Sequence, residues 1–386
     1  MKKRLLYVGG VILAVLVLVY VFRQPLILRV TGIRPFVEDR FAGWVDMGVD
    51  EAELDRTLRG IHDPQGDGSG SWVYELSRAA AGHERAAGEA DHAGQKETAA
   101  REYRKAAIFY YLARFPFVGS PAKEKAYQAH IRCYLKAAES LTPPLHVVRI
   151  PFEGKEIVTY LRIPATERPP VVLFTGGVDT WKSDFDQVVE PILQQGLAVM
   201  AVDMPGTGES QWPLAPESDR VYARVFEYLK TRPDLDGSRV GVLMLSFGGY
   251  FAVRLALTNP DVKAAINVGG PISLCFAPEH IRKVPNVMIK TIARAMRVEK
   301  DLPLEELVRK TSPFSLADLL KHPKHRGRLL SINGDQDHLV TIDDLYVISK
   351  LGVAQDEWVY KGDGHCAPRN IKDWAPKAAA WLKRSL

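Results

Sequence analysis

The chain is poor in cysteine: Cys133, Cys275 and Cys366 are the only ones in 386 residues, far apart and odd in number. No C-x-x-C pair, no H-E-x-x-H motif and no cysteine–histidine cluster at ligand spacing occurs, so a zinc site is not expected. The glycines of DPQGDGSGSW (residues 63–72) follow no strand and precede no G-K-[ST], which excludes a phosphate loop. No cofactor is therefore expected. Basic residues exceed acidic ones by only five and are scattered without interleaved aromatics, which argues against a nucleic-acid partner. What remains, 46% apolar and 25% charged residues, is ordinary globular composition.

The amino terminus departs from that composition. Met1-Lys2-Lys3-Arg4 precedes LLYVGGVILAVLVLVYVF (residues 5–22), an uncharged run of 18 residues. A helix of that length rises about 27 Å, close to the thickness of a bilayer core. The run ends VYVFRQP, without the small residues at which a secretory leader is cut. Residues 1–30 therefore read as an uncleaved signal anchor, a single transmembrane helix. Lys2, Lys3, Arg4 and the free amine stand against Arg23, Arg29 and Arg34. That bias leans towards a cytoplasmic amino terminus, with the body of the chain in the periplasm or otherwise outside the cytoplasm.

Residues 31–142 read as a helical accessory domain. AREYRKAAIFYYLARF and KAYQAHIRCYLKAA carry apolar residues at helical spacing and are separated by PFVGSPAKE. Tyr103, Phe109, Tyr110, Tyr111 and Tyr127 are taken as packing residues. At Pro143-Pro144 the period changes to two. VVRIPF, a turn at Glu153-Gly154 and IVTYLRIP predict a hairpin. Beyond it, apolar runs at 171–177, 197–203, 239–246, 264–270, 328–334 and 357–363 alternate with helical patterns. Strands buried on both faces between helices predict a mostly parallel, doubly wound α/β sheet over residues 143–386. The long helical stretch 278–326 between two strands reads as a lid insertion spanning about 274–327.

Chemistry in such a sheet belongs at the carboxyl ends of its strands. Ser246 ends one strand and begins a helix, Asp335 and Asp337 follow RLLSING, and His365 follows EWVYKGD. Serine, acid, histidine is the chain order of an α/β-hydrolase triad. A serine hydroxyl attacks a carbonyl only when an imidazole takes its proton, and a carboxylate must hold that imidazole in one tautomer. Asp337, three residues after Gly334, is the preferred acid and Asp335 the alternative. The N–H of Phe247, with that of Gly177 or Val178, would form the oxyanion hole, at roughly 3–4 kcal/mol per donor. Asp203 in VDMPGTGES reads as structural. Glu279 and His280 are candidate pocket-lining residues. The elbow pattern G-x-S-x-G is incomplete, because Met244 stands where its first glycine belongs.

REYRKAAIFYYLARFPF, KAYQAHIRCYLKAA, VVRIPFEGKEIVTYLRIP, VVLFTGGVDTWKSD and VDMPGTGES together resemble the FrsA-like α/β hydrolases, a group that includes dihydroxypseudooxynicotine hydrolase. The resemblance runs from about Ala99 to the carboxyl terminus. It implies a helical domain covering the site, homodimers, and hydrolysis of esters or of a C–C bond beside a ketone. Carried over by motif, Ser246, Asp337 and His365 are nucleophile, acid and base. Two features depart from the group: Met244 at the elbow and the membrane anchor. The expectation is a membrane-anchored serine hydrolase acting on a hydrophobic acyl or aromatic small molecule through an acyl-enzyme. The alternatives are an acyltransferase with the same triad and a non-catalytic scaffold that keeps the fold.

Overall fold

The computed structural model describes residues 32–298 and 302–386. The expected anchor, residues 5–22, lies outside the described residues. Among them, no helix is long and apolar enough to cross a membrane. The chain divides into two compact units, the first ending at Ala137 and the second beginning at Ala138.

The first unit is helical: α1 (Glu38–Asp46), α2 (Glu51–Arg59), α3 (Trp72–His92), α4 (Lys96–Arg114) and α5 (Pro121–Ala138). Short polar side chains start two of them, giving otherwise orphaned amides a partner. Asp50 accepts from the Glu53 N–H at 2.8 Å and Ser71 from the Tyr74 N–H at 3.3 Å. Leu54, Leu58, Leu76, Phe109 and Leu112 are fully buried in its core. Trp72 Nε1 donates to the Leu112 carbonyl at 2.6 Å, tying α3 to α4. Of these helices the sequence delimits only the last two; the three before them fall inside the expected helical domain, residues 31–142, without being drawn singly.

The second unit is built on one eight-stranded sheet. Its strands are β1 (Leu145–Phe152), β2 (Lys155–Arg162), β3 (Pro170–Thr175), β4 (Ala198–Val202), β5 (Asp236–Leu245), β6 (Val262–Val268), β7 (Arg328–Gly334) and β8 (Asp356–Tyr360). Their spatial order is β1-β2-β4-β3-β5-β6-β7-β8. β2 runs antiparallel to both β1 and β4, and every pair from β4 to β8 is parallel. The β1–β2 turn uses Glu153 and Gly154, both at positive φ (48° and 72°), which suits the twist of a two-residue hairpin. Every residue of β3 and β4 is buried, as strands covered on both faces require.

The covering helices include α6 (Asp186–Gln194), α7 (Asp219–Lys230), α8 (Phe247–Thr258), α13 (Ile342–Lys350) and α14 (Ile371–Ser385). Between β6 and β7 the described residues form four short α-helices, α9 (Pro278–Ile281), α10 (Asn286–Ala295), α11 (Leu304–Thr311) and α12 (Ala317–Lys321). On α8 nearly every residue is buried, including Tyr250, Phe251 and Leu257. Each such apolar side chain contributes roughly 1.5–3 kcal/mol by leaving water. This helix starts directly after Ser246, so its burial fixes the position of that serine.

Candidate active site

Ser246 joins β5 to α8 with φ 53° and ψ −132°. A residue with a Cβ pays about 1–3 kcal/mol for such a conformation, so neighbouring contacts must hold it. The Ser246 N–H donates to the Val268 carbonyl at 2.7 Å, and the Gly249 N–H donates to the Ser246 carbonyl at 2.8 Å. Close approach then dictates the surrounding glycines. A Cβ on Gly248 would lie 2.3 Å from the Gly176 carbonyl oxygen. A Cβ on Gly177 would lie 2.9 Å from Ser246 Oγ.

His365 follows β8 and Asp337 follows β7, and the sheet brings both to Ser246. His365 Nε2 stands 2.9 Å from Ser246 Oγ, and His365 Nδ1 stands 2.7 Å from Asp337 Oδ2. The Asp337 side chain is fully buried while the His365 ring keeps 21% exposure. Asp337 Oδ1 accepts from the N–H groups of Leu339 and Val340 at 2.7 and 3.0 Å. Burial pushes the Asp337 carboxyl up, but the facing imidazole and these donors bring it below the ordinary carboxylate range. For His365 burial disfavours the charged ring, yet the Asp337 carboxylate outweighs it and raises the imidazole well above the usual histidine value. Such a pair stabilises an imidazolium as it forms.

Asp335 does not join this cluster. Its Oδ1 accepts from the Gly362 N–H at 2.7 Å and braces the histidine loop. Of the two amides offered for the second oxyanion donor, that of Gly177 is engaged, donating to Thr180 Oγ1 at 3.2 Å. For the Val178 N–H the described residues offer no acceptor. The Phe247 N–H is the first of α8 and has no acceptor within its helix. His280 Nε2 is 2.9 Å from the Leu339 carbonyl oxygen, against the acid loop, and Glu279 is exposed. Met244 is fully buried beneath the elbow.

The sequence reading missed Asn333. This buried strand residue donates from Nδ2 to Asp337 Oδ2 at 2.9 Å and accepts at Oδ1 from the Cys366 N–H at 2.9 Å. It thereby joins the acid loop to the histidine loop. Asp363 was also missed: 1% exposed, it accepts from Gly364 N–H at 2.8 Å and from Asn370 Nδ2 at 2.8 Å, closing the histidine loop on itself. A polar residue inside an apolar strand run was the available signal for Asn333; Asp363 gave none.

The strand order, the parallel core and the serine–helix junction define an α/β-hydrolase fold. Within that fold the chain belongs to the FrsA-like esterase family, whose model, described as "Esterase FrsA-like", matches residues 49–330. Esterase FrsA of Vibrio vulnificus (strain YJ016) is 30% identical over 271 residues, which are 65% of this chain and 64% of that protein. Esterase FrsA of Photobacterium profundum is 28% identical over 274 residues, 66% of this chain and 65% of the relative. The chain thus spans less than two thirds of the length of these relatives. Among solved structures, a 2,6-dihydroxy-pseudo-oxynicotine hydrolase superposes with a TM-score of 0.77 at 22% identity, covering 89% of this chain and 95% of its own. AbyA5 superposes at 0.71 with 23% identity, covering 87% and 94%. Both share the fold. The family match includes Gly177, Val178, Ser246 and Phe247 and stops short of Asp337 and His365, whose assignment rests on geometry.

Proposed function

We propose that this protein is a serine hydrolase that cleaves esters of hydrophobic acyl or aromatic acids. The observation that carries the reading is the continuous chain Ser246 Oγ–His365 Nε2, 2.9 Å, and His365 Nδ1–Asp337 Oδ2, 2.7 Å. Ser246 Oγ attacks the ester carbonyl carbon while His365 Nε2 takes its proton. The carbonyl oxygen becomes an oxyanion facing the N–H groups of Phe247 and Val178. Collapse expels the alcohol, which takes the proton from His365 and leaves an acyl group on Ser246. Water then attacks that acyl carbon, giving its proton to His365. The second collapse returns the proton to Ser246 and releases the acid. A C–C bond beside a ketone would break by the same proton relay.

Residues 5–22 support attachment to a bilayer, with the body outside the cytoplasm. Membrane fractionation and protease protection of the intact cell test that part, and homodimer formation is read by light scattering of the solubilised chain. For the chemistry, the full chain is treated with a fluorophosphonate probe beside Ser246→Ala. Labelling of wild type alone, followed by turnover of aryl or acyl esters, is the expected result. A folded wild type that never labels would sink the reading.

A further inference from the structure

Loop 176–185, between β3 and α6, carries Val178, and its course must be fixed for that N–H to serve an oxyanion. The loop is tied locally by the Gly177 N–H to Thr180 Oγ1 and by the Trp181 N–H to Asp184 Oδ2 at 2.6 Å. Lys182 ties it to the turn after β4. The Lys182 N–H donates to Asp203 Oδ1 at 2.9 Å, and Lys182 Nζ donates to Asp203 Oδ2 at 2.6 Å and to Glu209 Oε2 at 2.6 Å. The Glu209 N–H donates to Asp203 Oδ2 at 2.8 Å, so one carboxylate joins the loop to the turn after β4. Nζ also lies 4.6 Å from the Tyr160 ring centroid. The turn is itself held, with the Gly206 N–H donating to the Trp212 carbonyl at 2.6 Å and the Leu214 N–H to the Ala295 carbonyl at 2.8 Å.

The side chains of Lys182 and Asp203 are 1% and 2% exposed. Burial disfavours the charge on Lys182, but the adjacent Asp203 carboxylate outweighs it and holds the ammonium above the usual lysine range. Buried ion pairs are weak sources of net stability, because desolvation offsets their attraction. What this one does provide is direction: three donors of a single residue engage two carboxylates at fixed points.

We propose that Lys182 is a positioning residue for the oxyanion site, setting where the Val178 N–H stands relative to Ser246 by pinning loop 176–185 to Asp203. The proposal rests on the hydrolase reading above. A misplacement of about 1 Å at a reacting centre costs on the order of 100-fold in rate, so Lys182→Met should lower kcat about 100-fold. KM should change little, about threefold at most, because the donor acts on charge that develops only in the transition state.

The test uses the full chain and a matched pair of aryl esters, one with C=O and one with C=S. Sulfur is the poorer hydrogen-bond acceptor, so an intact hole favours the oxo ester. Displaced donors lower the ratio of the two rates, which general loss of stability does not. Lys182→Met strands the buried Asp203 carboxylate beside the half-buried Glu209 and can fail to fold. The triple variant Lys182→Met/Asp203→Asn/Glu209→Gln leaves no unpaired charge, and a fall in its kcat and in its oxo-to-thiono ratio supports the proposal. Either folded variant with wild-type kcat and ratio overturns it. A wild type that neither labels with fluorophosphonate nor turns over either ester is the separate failure of the hydrolase reading.

Discussion

Replacing Asp337 with asparagine tests the site at the link that turns a histidine into a base. In the wild type, Asp337 Oδ2 faces His365 Nδ1 at 2.7 Å and Asn333 Nδ2 at 2.9 Å. An asparagine whose oxygen keeps the Leu339 and Val340 amides puts its NH2 against two donors. The imidazole then flips its tautomer or loses its partner, and the proton on Nε2 blocks acceptance from Ser246. The electrostatic part can be sized: opposite charges about 4 Å apart at an effective dielectric of about 20 attract by about 4 kcal/mol. At about 1.4 kcal/mol per tenfold that is a factor of about 1,000 in imidazolium stabilisation. With the wrong tautomer added, kcat should fall between about 1,000- and 10,000-fold.

The sign of the pH effect follows from the same pair. Asp337 raises His365, and only neutral His365 is a base, so wild-type kcat/KM falls as pH drops through that raised value. Without the carboxylate, burial dominates and the acid limb moves to lower pH. Asp337 is held below its reference value of 3.8, so its charged pairing stabilises the fold above that pH and is lost as pH falls through the lower folded value. The stability gap between wild type and variant should therefore narrow in strong acid. Initial rates on an aryl ester across pH, with thermal melts, read all three. A variant within tenfold of wild-type kcat, its acid limb unmoved, would refute the role given to Asp337.

Three further outcomes follow from single contacts. Asn333→Ala removes the bridge between the acid and histidine loops and should lower kcat about tenfold with KM nearly unchanged, as steady-state kinetics would show. Asp344→Ala strips the acceptor from the N–H groups of Ile272, Ser273 and Leu274, at 2.7, 2.8 and 2.6 Å, where the β6–β7 insertion begins. Two of these donors are only part-buried, so at the low end of about 1 kcal/mol each their loss costs about 3 kcal/mol, and the thermal midpoint should fall by roughly 6–12 °C, measured by calorimetry. Met244→Gly empties a fully buried site and should cost about 2–5 kcal/mol without faster fluorophosphonate labelling.

Legibility in the sequence tracked how local the determining physics was. Strands buried on both faces write themselves as apolar runs, so β3 to β7 and the insertion between β6 and β7 could be drawn in advance, while the more exposed β1 and β8 were drawn from the hairpin turn and from their place in the strand–helix alternation. Helix α3 fell within the expected helical domain but was not delimited: its stretch AAAGHERAAGEADH buries alanines such as Ala80 and Ala87, whose small side chains give little periodic contrast. The choice between Gly177 and Val178 turned on a hydroxyl three residues away, and Asp335 against Asp337 turned on where the histidine loop lands. Lys182 was invisible for a deeper reason. A lysine in a polar loop looks solvated until the fold closes over it, and burial is a property of chain segments that meet, not of the segment that carries it.

Met244 shows why a motif can lose a residue and keep its geometry. The elbow needs room because Ser246 adopts a positive φ and turns the chain sharply into α8. The tight approaches fall elsewhere: at Gly248, where a Cβ would meet the Gly176 carbonyl at 2.3 Å, and at Gly249, where it would meet Asn267 Oδ1 at 2.1 Å. Both lie on the helix side of the serine and both are glycine. Met244 lies on the strand side, in parallel register with Thr175 and Asn267, its side chain wholly buried in the apolar core. An unbranched, adaptable side chain fits there by filling space that a glycine would leave empty. The first glycine of the pattern is thus dispensable where the core offers room for a side chain at that position. The glycines after the serine are not, because backbone and a buried amide stand where their side chains would go.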